Sequence, residues 1–178
     1  MGETDAGLVR LAQRGDSEAF SLLVERHWSR LVPFARSVVG DAEAEDAVQD
    51  ALVLAWIKLD ALAEPAAFRA WVLRILGRLC CRRARFGRRF LSLVGIPEPR
   101  DPATESVTQA LDVEGTLKML APRQRAVMHL TVVEGMSDSE IGSVMGIDAA
   151  SVRSHRRRAR ERLRQVLGEP STEGRRAT

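Results

Sequence analysis

Residues 137–164, SDSEIGSVMGIDAASVRSHRRRARERLR, constrain the chain more than any other stretch. Ser137 and Glu140 have the spacing of a capping box, in which a hydroxyl and a carboxylate satisfy orphan amides reciprocally, so a helix is expected to start there. Ile141, Val144 and Met145 fall on one face of that helix. Gly146 is placed to end it, because glycine accepts positive φ cheaply. Asp148 is placed to cap a second helix whose first inward residue is Val152. Two short helices joined by a Gly-containing turn, the second rich in cations, form a helix-turn-helix pattern.

The second helix carries seven arginines, at 153, 156, 157, 158, 160, 162 and 164, against the single acid Glu161. Spread over more than three turns, they cannot share one face. Charge runs are more often solvated faces without a partner. Here the run begins at the amino end of the second helix, where side chains reach base edges in a major groove, and that placement favours DNA.

The rest of the chain must supply a scaffold for this element. With 178 residues and 45% apolar content, it suits one or two small domains, each with its own core. Tyrosine is absent and β-branched residues come singly, so the expected fold class is all-α. A formal charge of +3 makes the basic character local rather than global. Lysine occurs only at Lys58 and Lys118, a bias that a G+C-rich genome explains as well as the way arginine forks onto phosphate and guanine. No apolar run is long enough to span a bilayer and the amino end lacks a signal-peptide core, so a soluble, cytoplasmic protein without membrane insertion is expected. Cys80 and Cys81 read as small core thiols.

Residues 5–13 form a short amphipathic segment. Asp16 then caps a longer helix with Phe20, Leu23, Val24, His27, Leu31 and Phe34 on one side. Pro33 is expected to kink that helix or to start a new segment. His27 reads as a satisfied histidine at the core edge, since no second metal ligand has matching spacing.

From Ala42 to about Leu59, Ala44, Ala47, Val48, Ala51, Leu52, Ala55 and Leu59 make an inward face of mainly small residues. Glu43, Asp46, Gln49 and Asp50 make an acidic one. Without converging His, Cys or opposed carboxylates these acids suggest neither a metal site nor acid-base catalysis, and no cofactor or enzymatic activity is expected. A solvated face and a docking face for a basic partner remain; Val53 and Ile57 beside the acids favour docking.

Residues 68–85 read as a further helix with Phe68, Trp71, Val72, Ile75 and Leu79 at helical spacing. Arg69, Arg74, Arg78, Arg82, Arg83 and Arg85 are expected to project outward, with Trp71 buried. A cationic helix beside tryptophan suits separated nucleic-acid strands, which makes Arg78 and Arg82 candidate DNA contacts. Glycines and prolines from 87 to 110 then suggest a flexible linker, dividing the chain into domains at 1–86 and 111–168, with a disordered polar tail at 169–178. Past the linker, 113–120 reads as a short helix, and Pro122 opens another to Val133 with Val127, Met128 and Leu130 inside.

The run AEDAVQD at 44–50 with Trp56 resembles the region-two signature of extracytoplasmic-function sigma factors, and FRAWVLRI at 68–75 resembles its continuation. LAPRQRAV at 120–127, EGMS at 134–137, EIG at 140–142, SVRS at 151–154 and RAR at 158–160 look like region four. The likeness spans nearly the whole chain in the right order. It implies a factor that binds core RNA polymerase and directs promoter-specific initiation, and that is not an enzyme. Asp46, Gln49 and Asp50, with Trp56 nearby, would dock on the β′ clamp helices. Residues 59–67 and the next helix would open the −10 element and hold a flipped base. Arg153, Ser154, Arg157 and Arg158 would read the −35 element. The β flap and an anti-sigma factor are the further partners implied.

Three positions depart from the family pattern. Arg78 stands where Asn is frequent, Gly142 where Ala is common, and Arg156 where an aliphatic residue usually packs inward, which suggests a thinner core or an arginine that snorkels to phosphate. The alternative from another class is a stand-alone helix-turn-helix regulator.

Overall fold

A computed structural model describes residues 3–93, 117 and 119–167. Seven α-helices account for most of them: α1 (Asp5–Ala12), α2 (Ser17–Val39), α3 (Asp41–Ile57), α4 (Phe68–Leu93), α5 (Pro122–Val132), α6 (Asp138–Met145) and α7 (Ala149–Leu167). Two 3₁₀ turns, Leu59–Ala61 and Pro65–Ala67, connect α3 to α4. The fold is all-α, as expected, with no strand among the described residues.

Local chemistry explains most helix ends. Thr4 caps α1 by accepting from the Gly7 amide at 3.2 Å, and Asp16 caps α2 by accepting from the Ala19 amide at 3.0 Å. A single residue, Gly40 at φ 88°, separates α2 from α3. Along α2, Leu23, His27, Leu31, Phe34 and Val38 are buried. His27 is a satisfied core-edge histidine, its Nε2 2.8 Å from Asp5 Oδ2. Desolvation pushes the Asp5 carboxyl up, but hydrogen bonds from Arg26 and His27 outweigh it and hold the group below its usual range.

Pro33 does not start a new segment: α2 runs unbroken through it. A proline in a helix interior costs about 3 kcal/mol. Its neighbours Leu31, Val32, Phe34 and Ala35 are all buried, and that burial offsets the loss. On α3 the small face is buried as its pattern indicates, with Ala47, Ala51 and Ala55 at 0% exposure. The last described N-terminal helix extends further than its sequence suggests, since α4 continues past Gly87 to Leu93. One interior glycine costs only about 1 kcal/mol of propensity. The remaining residues assigned to the linker, most of the 113–120 segment and the 169–178 tail lie outside the described residues.

In the carboxy-terminal group, Pro122 occupies the first turn of α5, and Ala126, Val127 and Leu130 are fully buried, with Met128 half-buried. The two groups of helices share one contiguous cluster of buried residues. The α2 helix packs on α1, α3, α4 and α5, while α4 also packs on α6. Cys80 is fully buried, and desolvation pushes its thiol up to about 12; Cys81 is half-buried.

Candidate nucleic-acid interface

The helix-turn-helix assembles from its own side chains. The Glu140 carboxylate accepts from the Ser137 amide at 2.8 Å, the Ser137 hydroxyl accepts from the Glu140 amide at 3.4 Å, and this pairing lowers the Glu140 pKa. Gly146 closes α6 in the left-handed region, at φ 67° and ψ 40°. Asp148 then caps α7 by accepting from the Ser151 amide at 2.8 Å, and hydrogen bonds from Ser151 lower its pKa. Val152 and Ala159 anchor α7 inward at 0% exposure. Gly142 allows the turn to fold this tightly, because a Cβ there would lie 2.7 Å from the Ile147 carbonyl oxygen.

On the outer face of α7, Arg153, Arg157 and Arg158 are exposed and Ser154 is half-buried. Arg157 makes one helical-spacing pair, to Glu161 at 3.1 Å. Arg156 behaves differently: its fork donates to both carboxylate oxygens of Asp138, at 2.6 and 3.1 Å. A carboxylate at the α6 start thus takes up its charge. Arg153 Nη1 lies 3.9 Å from the same Asp138.

A second cationic surface lies between the carboxy end of α3 and α4. Lys58, Arg74, Arg78 and Arg82 line an open cleft of about 430 Å³, floored by Leu54 and Ile75 with Trp71 in its wall. Trp71 is half-buried rather than buried, one face packing near Phe68 with ring centroids 6.3 Å apart. Arg78 and Arg82 are exposed. Arg69, Arg74 and Arg83 do not simply project outward. Arg83 pairs with Asp50, while Arg69 and Arg74 reach Glu134 and Ser143 of the carboxy-terminal group.

The third surface is the acidic side of α3. Asp46, Gln49 and Asp50 are exposed alongside Val53 at 58% and Ile57 at 68%. Trp56 continues the patch at 39% exposure, backed by Phe20 with ring centroids 5.0 Å apart. Acids and large apolar groups thus share one exposed face, with Asp50 tied to Arg83 at its edge, a composition suited to a protein partner. Among the described residues, no His, Cys, Asp and Glu cluster has the arrangement of a metal site.

Contacts between the two groups of helices had no sequence signal. Arg125 donates to the Val38 carbonyl at 3.3 Å, and Phe34 meets His129 edge-on at 5.5 Å. Their partners are too far apart in the chain for periodicity or capping rules to pair them.

Residues 23–90 match sigma-70 region 2, and residues 110–163 match sigma-70 region 4. The RNA polymerase sigma factor NccH of Alcaligenes xylosoxydans xylosoxydans is 34% identical, over 92% of this chain and 94% of that protein. The chain belongs to the sigma-70 family. Within that family, it is similar to the extracytoplasmic-function sigma factor SigM of Mycobacterium tuberculosis, at 30% identity over 93% of this chain and 85% of that one. The solved structure of CnrH in complex with the cytosolic domain of CnrY superposes with a TM-score of 0.67 at 32% identity, covering 94% of this chain and 99% of that one. This sigma factor binds core RNA polymerase and promoter DNA and directs promoter-specific initiation. Its family consists of initiation factors rather than enzymes. Among the described residues, no helix is long and apolar enough to cross a membrane.

Proposed function

We propose that three surfaces divide the work of an extracytoplasmic-function sigma factor. The acidic face of α3, with Asp46, Gln49, Asp50 and Trp56, docks on the β′ clamp helices. The cleft at Arg78 and Arg82 receives the separated −10 strand, whose bases stack on Trp71 while the arginines follow the backbone. The amino end of α7 enters the major groove of the −35 element, where Arg153, Ser154, Arg157 and Arg158 make the contacts. Region 4 also meets the β flap. The protein acts in the cytoplasm, without catalytic chemistry of its own, and is held inactive by an anti-sigma factor; the capture of CnrH with the cytosolic domain of CnrY supports that partner.

The observation that carries this reading is the placement of exposed acids beside Val53 and Ile57 on one helix and of outward arginines on the second helix of a helix-turn-helix. Run-off transcription with purified core polymerase tests it. Initiation at a cognate promoter should appear on adding the chain and fall when Asp46 and Asp50 are both changed to Ala. Tight binding of palindromic DNA without polymerase, and no initiation at any candidate promoter, would instead identify a stand-alone regulator.

A further inference from the structure

One part of the cationic cleft is not made by a helix. Trp71, Arg74 and Arg78 belong to α4, but Lys58 and Ala61 come from the end of α3 and the 3₁₀ turn that follows it. Gln13, at the carboxy end of α1, does not line the cleft and yet holds that turn. Its side-chain Nε2 donates to the Leu59 carbonyl at 3.1 Å and to the Leu62 carbonyl at 3.0 Å. An amide nitrogen carries two hydrogens, so both donors are used and the fork spans the turn from its first residue to the one that closes it.

The fork is itself fixed in place. The Gln13 backbone amide donates to the Val9 carbonyl at 2.8 Å, and Leu8, Val9 and Ala12 bury the inner face of α1. At the other end of α1, Asp5 accepts from Arg26 at 3.0 Å and lies 2.8 Å from His27 Nε2. The connection it braces has few means of its own. Residues 63–67 are Ala-Glu-Pro-Ala-Ala, and the one polar side chain among them, Glu64, accepts locally from the Ala66 amide at 3.4 Å. Leu59 and Leu62 are buried, and their bonds to Gln13 are part-shielded from water, so a donor lost there is not replaced without cost.

We propose that Gln13 is a positioning residue for the separated −10 strand. Its amide sets the backbone of the Leu59–Leu62 turn, so Lys58 and Ala61 already stand in the wall of the cleft when the strand arrives. This rests on the reading of the cleft given above. Without the fork the turn samples other conformations, and only the fraction with its wall in place receives the strand. Apparent affinity then falls by that fraction although no residue that touches DNA has changed. The docking face of α3 lies on Asp46, Gln49 and Asp50, up the helix from the turn, and is left as it was.

The test uses the full chain with Gln13→Met, which keeps the length of the side chain and removes both donors, and Gln13→Glu, which turns a carboxylate toward the two carbonyls. Hydrogen exchange followed by mass spectrometry reports the turn. Fluorescence anisotropy reports binding to a short single-stranded oligothymidylate and, separately, to core polymerase. Both variants should exchange faster in residues 58–67 alone, bind the oligonucleotide roughly tenfold more weakly and bind polymerase as the wild type does. Should Gln13→Glu lose helicity by circular dichroism, Gln13→Met decides alone. The proposal is overturned if exchange at 58–67 does not change, or if the turn loosens and the oligonucleotide binds equally well. It is also overturned if exchange rises in every helix and both affinities fall together, which marks a merely structural residue. A wild-type chain that takes up no oligothymidylate sinks the reading of the cleft, and the proposal with it. One that binds no polymerase sinks the sigma-factor reading, while the exchange and oligonucleotide arms still decide the role of Gln13.

Discussion

At Gly142, one absent methyl group lets the helix-turn-helix close, because the Ile147 carbonyl occupies the space a side chain would need. Gly142→Ala should therefore destabilise the protein even though alanine has the better helix propensity. The expected cost is about 1–3 kcal/mol, the usual range for forcing extra volume into a packed site, and thermal denaturation would measure it. Arg153 and Arg156 are near neighbours in different surroundings, the first exposed and the second forked onto Asp138. Arg153→Ala should relax −35 selectivity by roughly 1–3 kcal/mol if the side chain grips guanine, and an equal loss on every sequence would mark a phosphate contact. Arg156→Ala should instead lower the melting temperature, since it strips Asp138 of its bidentate partner. A gel shift with holoenzyme, alongside calorimetry, separates the two.

Among the elements, α3 shows most directly how two faces of one helix serve two ends. Its buried side is built of alanines that let α2 and α4 approach, so Ala47→Leu should cost about 1–3 kcal/mol in urea denaturation. Asp46→Ala, on the outward side, should leave the urea midpoint unchanged and weaken the association with core polymerase. The inward and outward residues of α3 were legible in the sequence because a helix of this length repeats its pattern several times. The caps at Asp16, Ser137 and Asp148 were legible for a related reason: the atoms involved are only three residues apart. Which of the two outcomes Pro33 would take, a continuing helix or a new segment, was not, because the burial that compensates depends on distant helices. The same limit hid the pairing of Arg156 with Asp138 across the turn and the pairing of Arg69 with Glu134 between the groups. In both cases the sequence marks the charges and leaves their partners open. The candidate surfaces on α3 and α7 could be found from pattern, whereas the cleft beside Trp71 takes shape only when α3 and α4 cross.

For the whole molecule, the shared buried cluster implies a single cooperative transition. The three tryptophans, Trp28, Trp56 and Trp71, all lie in the amino-terminal group, so their fluorescence reports that half while far-ultraviolet circular dichroism reports both. At pH 7.5 the two urea transitions should coincide. Lower pH should weaken the assembly through His129, whose pKa burial holds below its ordinary 6.5, with Glu134 opposing the shift. An exposed imidazole binds its proton near 6.5, so the unfolded chain takes up more protons than the folded one just below that pH. The stability tied to the neutral ring is complete above 6.5 and is lost as pH falls through the depressed folded value. The urea midpoint should drop between pH 7.5 and 5.5, and His129→Gln should remove part of that dependence, the rest coming from His155, whose pKa burial also lowers. Asp5, whose pKa is lowered from 3.8, acts only in more acidic solution and does not confuse the measurement.

The position of α2 also has a consequence for synthesis. A ribosome releases α2 well before α5, yet Phe34 gains its His129 neighbour, and α2 its packing on α5, only when the later helices arrive. The emerging polypeptide therefore leaves the side of α2 that receives α5 uncovered for the time needed to translate roughly ninety more codons, about five to twenty seconds at ordinary elongation rates. Over that interval the half-made protein is a natural client for a ribosome-associated chaperone.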